Sequence, residues 1–541
     1  MTTMTGGEAI VSGLVAHGVD TVFGLPGAQI YGLFDAFHQA QLKVIGARHE
    51  QACGYMAYGY ARSSGKPGVF SVVPGPGVLN AGAALLTAFG SNEPVLCLTG
   101  QVPTEFLGKG RGHLHEMPDQ LATLRTFVKW ADRIEYPDVA PTLVSRAFQE
   151  MLSGRRGPAA LEMPWDVFTQ TAETAPVTPF APFPAPRPDS DRISKAAALM
   201  KAAKAPMIFV GSGAIHARDE ILELAEMIDA PVVAFRSGRG IVSNAHELGL
   251  TMAAAYKLWP QTDLMIGIGT RMELSTSFRW PFRPDGLKSI RIDIDPVEMR
   301  RVTTDVSIVA DSKAGTAELF AAVSKAGYSK TAGRRAAIRE ASAASLKEIQ
   351  QVQPQMAYLN VLREVLPHNA IVTDELSQVG FASWYGFPVY EPRTFITSGY
   401  QGTLGSGFPT ALGAKVANPD KPVVAITGDG GFMFGVQELA TAVQFNIGVV
   451  TLVFNNNAYG NVRRDQRQRF DGRVVASDLV NPDFVKLAES FGVGAARVTA
   501  PDQFRAALEK ALSVGGPYLI DIEVPRDSEV TPWTFIHPAR P

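Results

Sequence analysis

The sequence predicts an α/β protein assembled from three doubly wound parallel-sheet domains. Its 541 residues exceed what one hydrophobic core holds, at roughly 150 residues per domain. Short β-branched runs alternate with longer helical stretches along the whole chain, and apolar strands separated by helices form parallel sheets covered on both faces. A proline ladder of Pro176, Pro179, Pro182, Pro184, Pro186 and Pro188 interrupts the pattern. Proline fixes φ and removes a donor, so this stretch is an extended tether between compact units.

The elements then follow in order. Residues 1–170 offer strands over 43–47, 68–73 and 95–98. Residues 190–325 offer strands over 206–210, 231–235, 264–268 and 289–294. A softer break, rich in Ala, Lys, Arg and Ser, runs from about 324 to 353. Residues 354–525 offer strands over 370–373, 423–427, 449–454 and 518–524, and 526–541 form a tail.

Composition excludes several classes. Apolar residues make up 46% and charged residues 19%, which no disordered chain matches. Fifty Lys plus Arg against 52 Asp plus Glu leave a net charge of −2, so no basic excess exists to bind a nucleic-acid backbone. Cys53 and Cys97 are the only cysteines; this fits a reducing compartment and a cytoplasmic protein. The N-terminus lacks a basic start with an apolar core, and no run of about 20 apolar residues could span a bilayer.

The most informative stretch lies in the third block. Thr427-Gly428-Asp429-Gly430-Gly431 closes one predicted strand, and Asn455-Asn456-Asn457-Ala458-Tyr459-Gly460 closes the next, with a helix between them. Adjacent parallel strands put both ends at the sheet edge where open α/β folds bind ligands. Asp429 and Asn456 offer oxygen donors only, which suits Mg²⁺ or Ca²⁺ rather than zinc. Gly430 and Gly431 lack Cβ atoms, so their backbone can approach a phosphate at the start of the next helix. Gly-Asp-Gly alone is a common turn; the paired asparagines at βαβ spacing give it weight.

This stretch resembles the thiamine-diphosphate motif, GDG followed by NN. The resemblance implies thiamine diphosphate and Mg²⁺ as cofactors. It assigns Asp429, Asn456 and the carbonyl of Ala458 to the metal, and Gly428, Gly430 and Gly431 to the diphosphate loop.

Such a cofactor needs a carboxylic acid against N1′ of its aminopyrimidine, so that the 4′-imino group can deprotonate C2. Glu50, in Arg48-His49-Glu50-Gln51-Ala52, follows strand 43–47 and opens a helix that Gly54, Ala57, Gly59 and Ala61 keep narrow. A carboxyl buried there could share its proton with N1′; taken alone, it could equally complement the helix dipole. From Gly24 to Gln101 the chain resembles the pyrimidine-binding domain of acetolactate synthases and benzaldehyde lyase, through GLPGAQIY, ARHEQACGYMAYGYARSSGKPG, VVPGPGVLN and PVLCLTGQVP. The match makes Glu50 the activating glutamate. It orders the domains as pyrimidine-binding, central and diphosphate-binding. Two subunits of this family share each cofactor, which implies a homodimer or homotetramer.

The resemblance extends to the pocket. Leu404, in Tyr400-Gln401-Gly402-Thr403-Leu404-Gly405, stands where relatives bend the cofactor, and the carbonyl of Gly402 would receive its amino group; without the match Leu404 reads as a core leucine. Ser377 and Gln378 are diphosphate contacts. Gln29 and His115 occupy places where benzaldehyde lyase carries a histidine and a glutamine, so the pair has traded chemistry. His115 could relay a proton to a carbonyl or alkoxide, or be a solvent-exposed loop histidine. His113 and His115 have no third ligand at zinc spacing.

After the asparagine motif, acetolactate synthases carry a tryptophan; here Asn461 is followed by Arg463, Arg464, Arg467 and Arg469. Two readings stand: a more polar or acidic substrate, or a solvated helix face. In the central block, Gly211-Ser212-Gly213-Ala214-Ile215-His216 begins like a dinucleotide fingerprint but ends on histidine, so hydride chemistry has little support. Relatives bind FAD, ADP or nothing there, and the occupant is left open. The tail, with Trp533, Phe535 and Ile536, either closes the substrate channel or docks on a protein surface.

The implied function is a thiamine-diphosphate- and Mg²⁺-dependent carbon–carbon lyase or carboligase, acetolactate-synthase-like, acting on 2-oxo acids, aldehydes or 2-hydroxy ketones. A simple 2-oxo acid decarboxylase releasing an aldehyde is one alternative. A catalytically silent subunit of the same fold is another, and Glu50, Asp429, Asn456 and Leu404 together argue against it.

Overall fold

The structure, a computed structural model, describes residues 1–277 and 279–540. It contains three six-stranded parallel sheets. In the first, the strands lie in the order Lys43–Gly46, Thr21–Gly24, Gly68–Val72, Val95–Gln101, Ala159–Pro164 and Trp130–Arg133. In the third, the order is Phe395–Ile396, Ile371–Asp374, Val423–Gly428, Val450–Asn455, Tyr518–Glu523 and Gly494–Val498. The two orders are the same topology. The central sheet runs Gly249–Leu250, Val232–Val233, Pro206–Val210, Leu264–Ile268, Lys288–Asp293 and Val306–Val309, the doubly wound dinucleotide-fold order.

Each sheet therefore has one point where the strand order reverses. These points lie between Thr21–Gly24 and Gly68–Val72, between Pro206–Val210 and Leu264–Ile268, and between Ile371–Asp374 and Val423–Gly428. Connections leave such a pair in opposite directions and open a crevice at the carboxyl edge. Gly27–Gln29, Gly75, Gly211–Gly213, Ser377 and Asp429 follow strands of these pairs, while Glu50 and Asn456 follow the strands next to them.

The first and third domains share one apolar core, in which Phe23, Tyr55 and Phe70 join Phe408, Phe432 and Phe484. Helix Glu50–Ser64 lies directly on helix Gly407–Ala417. A Cβ on Gly59 would stand 2.0 Å from the carbonyl oxygen of Thr410, and one on Gly413 would stand 1.9 Å from that of Met56. The narrow helix face thus packs within the chain. The central and third domains share a second core.

Several elements differ from expectation. Gly494–Val498 and Trp130–Arg133 are edge strands with mixed burial and lack the continuous apolar run of a central strand. The stretch over 324–353 is no simple linker: it holds helix Arg334–Ile349, which packs on helix Met252–Leu258. Its alanines are strong helix formers. Residues 175–189 carry no helix or strand, and Thr2–Thr5 pairs antiparallel with Thr171–Thr174 just before them.

Candidate functional site

The crevice of the first sheet is built around the start of helix Pro76–Ser91. Gly75 precedes it at φ +62°, where a Cβ would meet the carbonyl oxygen of His115 at 2.5 Å, so only glycine fits. The imidazole Nδ1 of His115 lies 3.0 Å from Oε1 of Gln29, and Nε2 of Gln29 donates to the carbonyl of Leu114 at 2.9 Å. Gln29 is fully buried and His115 half-buried at φ +61°. On the same helix, Asn80 Nδ2 donates to Glu50 Oε2 at 3.0 Å. Glu50, Gln29 and His115 thus lie around the start of one helix. In the single chain Glu50 is half-buried: it opens its helix at the surface, whereas Ala52 to Ser63 behind it are buried.

A buried pair, Gln120 with Glu162, and a single buried carboxyl, Glu438, support this crevice, and sequence reading missed them. The backbone N–H of Gly75 donates to Gln120 Oε1 at 2.8 Å, and Gln120 Nε2 donates to Glu162 at 2.8 Å. Glu438, fully buried and in the third domain, accepts from the N–H of Arg48 at 3.0 Å and from the Thr441 hydroxyl at 2.7 Å. Burial pushes its carboxyl above the ordinary range. Both act across domains or far along the chain and carry no local motif. His113 stacks near Phe106, with ring centroids 4.7 Å apart.

At the third crevice, Gly428 aligns with Phe454 on the neighbouring strand, so Asp429 and Asn456 emerge at one edge. The N–H of Ala458 gathers them, reaching Asp429 Oδ2 at 3.2 Å and Asn456 Oδ1 at 3.1 Å. Tyr459 N to Ser477 O and Leu479 N to Asn457 O hold this segment and use neither polar group of Ala458. The carbonyl of Ala458 stays outside the pairing. Asp429 is 2% exposed, and burial pushes its carboxyl up from the ordinary value. Asn481, which nothing in the sequence marked, donates to Asp429 Oδ2 at 2.7 Å. A hard oxygen set around a desolvated carboxylate suits Mg²⁺.

Gly430 and Gly431 sit at the start of the short helix Asp429–Phe432. A Cβ on Gly430 would strike the Tyr459 ring and one on Gly431 the Glu375 carboxyl. Packing by the protein therefore demands these glycines in addition to any phosphate. Ser377 caps helix Gln378–Gly386, accepting from the N–H of Gly380 at 3.0 Å. Gln378 is buried, and its Oε1 lacks a partner within the protein. Gly402 stands at φ +58° and Leu404 is half-buried. Fully buried Glu375 ties this loop to the motif: it accepts from Gly405 N and, at 2.7 Å, from Thr427 Oγ1. Burial raises its pKa to about 7.

The arginines after the asparagine motif are all engaged with acids. Arg463 pairs with Asp478 and Asp527, Arg467 with Asp527, and Arg464 and Arg469 with Asp465. They form an ion-paired face, and the acidic-substrate reading loses its cations. The tail docks on its own chain beside them. Trp533 Nε1 donates to Asn461 Oδ1 at 2.6 Å, the Trp533 ring packs on Phe381, and that of Phe535 on Tyr385.

The central crevice is a cleft of about 510 Å³. Gly211, Gly213, Arg271 and Asp293 line it from the central domain, Arg155 from the first and Tyr400 from the third. Arg155 Nη2 is buried without a partner there, and the guanidinium of Arg271 stacks 4.7 Å from the Tyr400 ring. His216 is held by Asp311 at 2.7 Å.

Residues 4–123 match the family described as thiamine pyrophosphate enzyme, N-terminal TPP binding domain, residues 193–319 its central domain, and residues 376–522 its C-terminal TPP binding domain. A probable acetolactate synthase large subunit of Methanocaldococcus jannaschii is 35% identical over 96% of this chain and 92% of its own length. The acetolactate synthase large subunit of Haemophilus influenzae is 31% identical over 98% and 96%. A probable 2-ketoarginine decarboxylase of Pseudomonas aeruginosa is 32% identical over 96% and 94%.

Proposed function

This chain belongs to the thiamine pyrophosphate enzyme family, and from that premise we propose that it is a Mg²⁺-dependent carboligase or lyase acting on 2-oxo acids, aldehydes or 2-hydroxy ketones. The observation that carries the reading is the gathering of Asp429 and Asn456 oxygens by one N–H of Ala458 at the edge of the third sheet.

Asp429, Asn456 and the carbonyl of Ala458 hold the cation, and Gly428, Gly430, Gly431, Ser377 and Gln378 face the diphosphate. When bound, the cofactor would supply a nucleophilic carbon and a sink for the electron pair that decarboxylation or carbon–carbon cleavage leaves. Glu50 exchanges a proton with the aminopyrimidine nitrogen. Leu404 would lie against the bound cofactor, and the carbonyl of Gly402 would accept from its amino group. The Nδ1 proton of His115 is committed to Gln29, which leaves Nε2 to hold or deliver a proton at the substrate oxygen.

A second copy completes the site. Pro76, Leu79, Ala83 and Leu86 form an exposed stripe along the helix beside Glu50, and Met433 and Phe434 are exposed beside the Asp429 loop. Apposed across a twofold axis, these surfaces bring Glu50 of one protomer to Asp429 of the other. A nucleotide bearing a diphosphate, FAD or ADP, fits the central cleft, where Arg155 pairs with Glu298 through Nη1 at 2.7 Å and keeps Nη2 without a partner. Cytoplasmic residence agrees with two buried free thiols, and no helix among the described residues is long and apolar enough to cross a membrane.

Product analysis tests the reading. Enzyme, thiamine diphosphate and Mg²⁺ are incubated with 2-oxo acids and aldehydes, and products are identified by mass spectrometry. Acyloins or 2-hydroxy-3-oxo acids are expected. Aldehyde alone would favour the decarboxylase reading, which the Pseudomonas relative keeps in view.

A further inference from the structure

A side-chain amide has two unlike ends, and only its oxygen can ligate a cation. Asn456 therefore needs its orientation fixed. Its Oδ1 turns toward the N–H of Ala458, while Nδ2 donates to Oε2 of Glu529 at 2.8 Å. Glu529 lies 73 residues further on, in the C-terminal tail. Oε2 of Glu529 accepts from the NH₂ end while the N–H of Ala458 holds the oxygen end, so a flipped amide would lose both bonds.

The tail does not depend on Asn456 for its own placement. Arg526 Nη2 donates to the carbonyl of Asn457 at 2.7 Å, Gln355 Nε2 to that of Val530 at 2.7 Å, and Arg464 Nη1 to Thr531 Oγ1 at 2.8 Å. Asn456 is the hydrogen-bonded partner of Glu529, and no basic side chain pairs with it among the described residues. A mostly buried carboxylate without a cation is costly, and its one bond falls on an expected metal ligand.

We propose that Glu529 is a positioning residue that locks the Asn456 amide with its oxygen toward the metal position, so that retention of the cation is tied to docking of the tail. This rests on the reading of Asp429, Asn456 and Ala458 as the metal set. Partners that orient metal ligands commonly alter metal affinity about 10- to 100-fold when removed.

The test is a Mg²⁺ titration of full-length protein at fixed thiamine diphosphate, read by calorimetry. Glu529→Ala should weaken Mg²⁺ by about 10- to 100-fold. Glu529→Gln, whose amide can turn either its oxygen or its NH₂ end to Asn456, should fall between wild type and Glu529→Ala. In an Asn456→Asp background the Glu529→Ala penalty should vanish, because a carboxylate has no wrong end to present. Unchanged Mg²⁺ affinity in Glu529→Ala, or a penalty that persists in the Asn456→Asp background, overturns the proposal. Asp429→Ala run in parallel separates the two readings: if it too leaves Mg²⁺ affinity unchanged, the metal set itself is wrong.

Discussion

The imidazole of His115 and the side chain of Gln29, 86 residues apart, form one hydrogen-bonded pair at 3.0 Å. Because Gln29 spends its NH₂ on the carbonyl of Leu114, its oxygen faces the ring and requires the proton on Nδ1. The pair fixes a tautomer, with Nε2 left as the reactive nitrogen. His115→Ala should therefore bind cofactor within a few-fold of wild type while turnover falls about 10²- to 10⁴-fold. Steady-state kinetics beside a cofactor titration check this, and undiminished turnover would return His115 to the exposed-loop reading.

Glu50→Gln should also leave cofactor affinity within a few-fold, because binding rests mainly on the diphosphate and metal contacts. Proton–deuterium exchange at the cofactor's C2, followed by NMR, should slow by orders of magnitude. Exchange at the wild-type rate would remove Glu50 from its assigned part.

Replacing Asp429 by Ala removes the one charged side chain among the three assigned metal ligands. Holoenzyme should not form at ordinary Mg²⁺ concentrations, and calorimetric titration with thiamine diphosphate would give no binding heat. An unchanged isotherm places the metal elsewhere.

A chain ending after Arg526 loses Trp533 and Phe535 and uncovers Phe381 and Tyr385. At saturating Mg²⁺ it should bind cofactor, yet water entering the pocket should shift products from acyloin toward aldehyde. The acyloin-to-aldehyde ratio is the measurement; a ratio equal to that of the full chain eliminates the lid.

Glu375 makes a prediction about pH. Burial raises its pKa from 4.5 to about 7, so the folded state holds this proton more tightly than the unfolded chain does. The resulting stability is complete below pH 4.5 and is lost as pH rises from there through about 7, up to about 3 kcal/mol. Asp374, raised to about 7 by the same burial, acts in the same direction. The thermal midpoint of Glu375→Gln should fall less between pH 5 and pH 8 than that of wild type. Equal slopes would mean Glu375 stays ionised throughout.

Much of the site was legible in the sequence because its chemistry is local. Asp429 and Asn456 end successive strands of one βαβ unit, so spacing alone puts them at one sheet edge. Glu50 opens its helix directly after a strand for the same reason. The Gln29–His115 pair came from resemblance, since 86 residues of ordinary spacing separate its members.

The sequence by itself determined three parallel sheets, the strand ends that carry the motifs, and the residue types that suit an oxygen-ligated metal. Those features follow from period, glycine placement and the direction of consecutive parallel strands. Only the tertiary structure decided the supporting shell: Glu529 and Asn481 against the metal set, Glu438 behind Glu50, Gln120 and Glu162 behind Gly75, and the acids that neutralise Arg463, Arg464 and Arg467. Each reaches its partner from a remote element and sits in a stretch with no motif of its own. A hydrogen bond made across such a distance is set by how the domains pack, and no pattern along the chain encodes it.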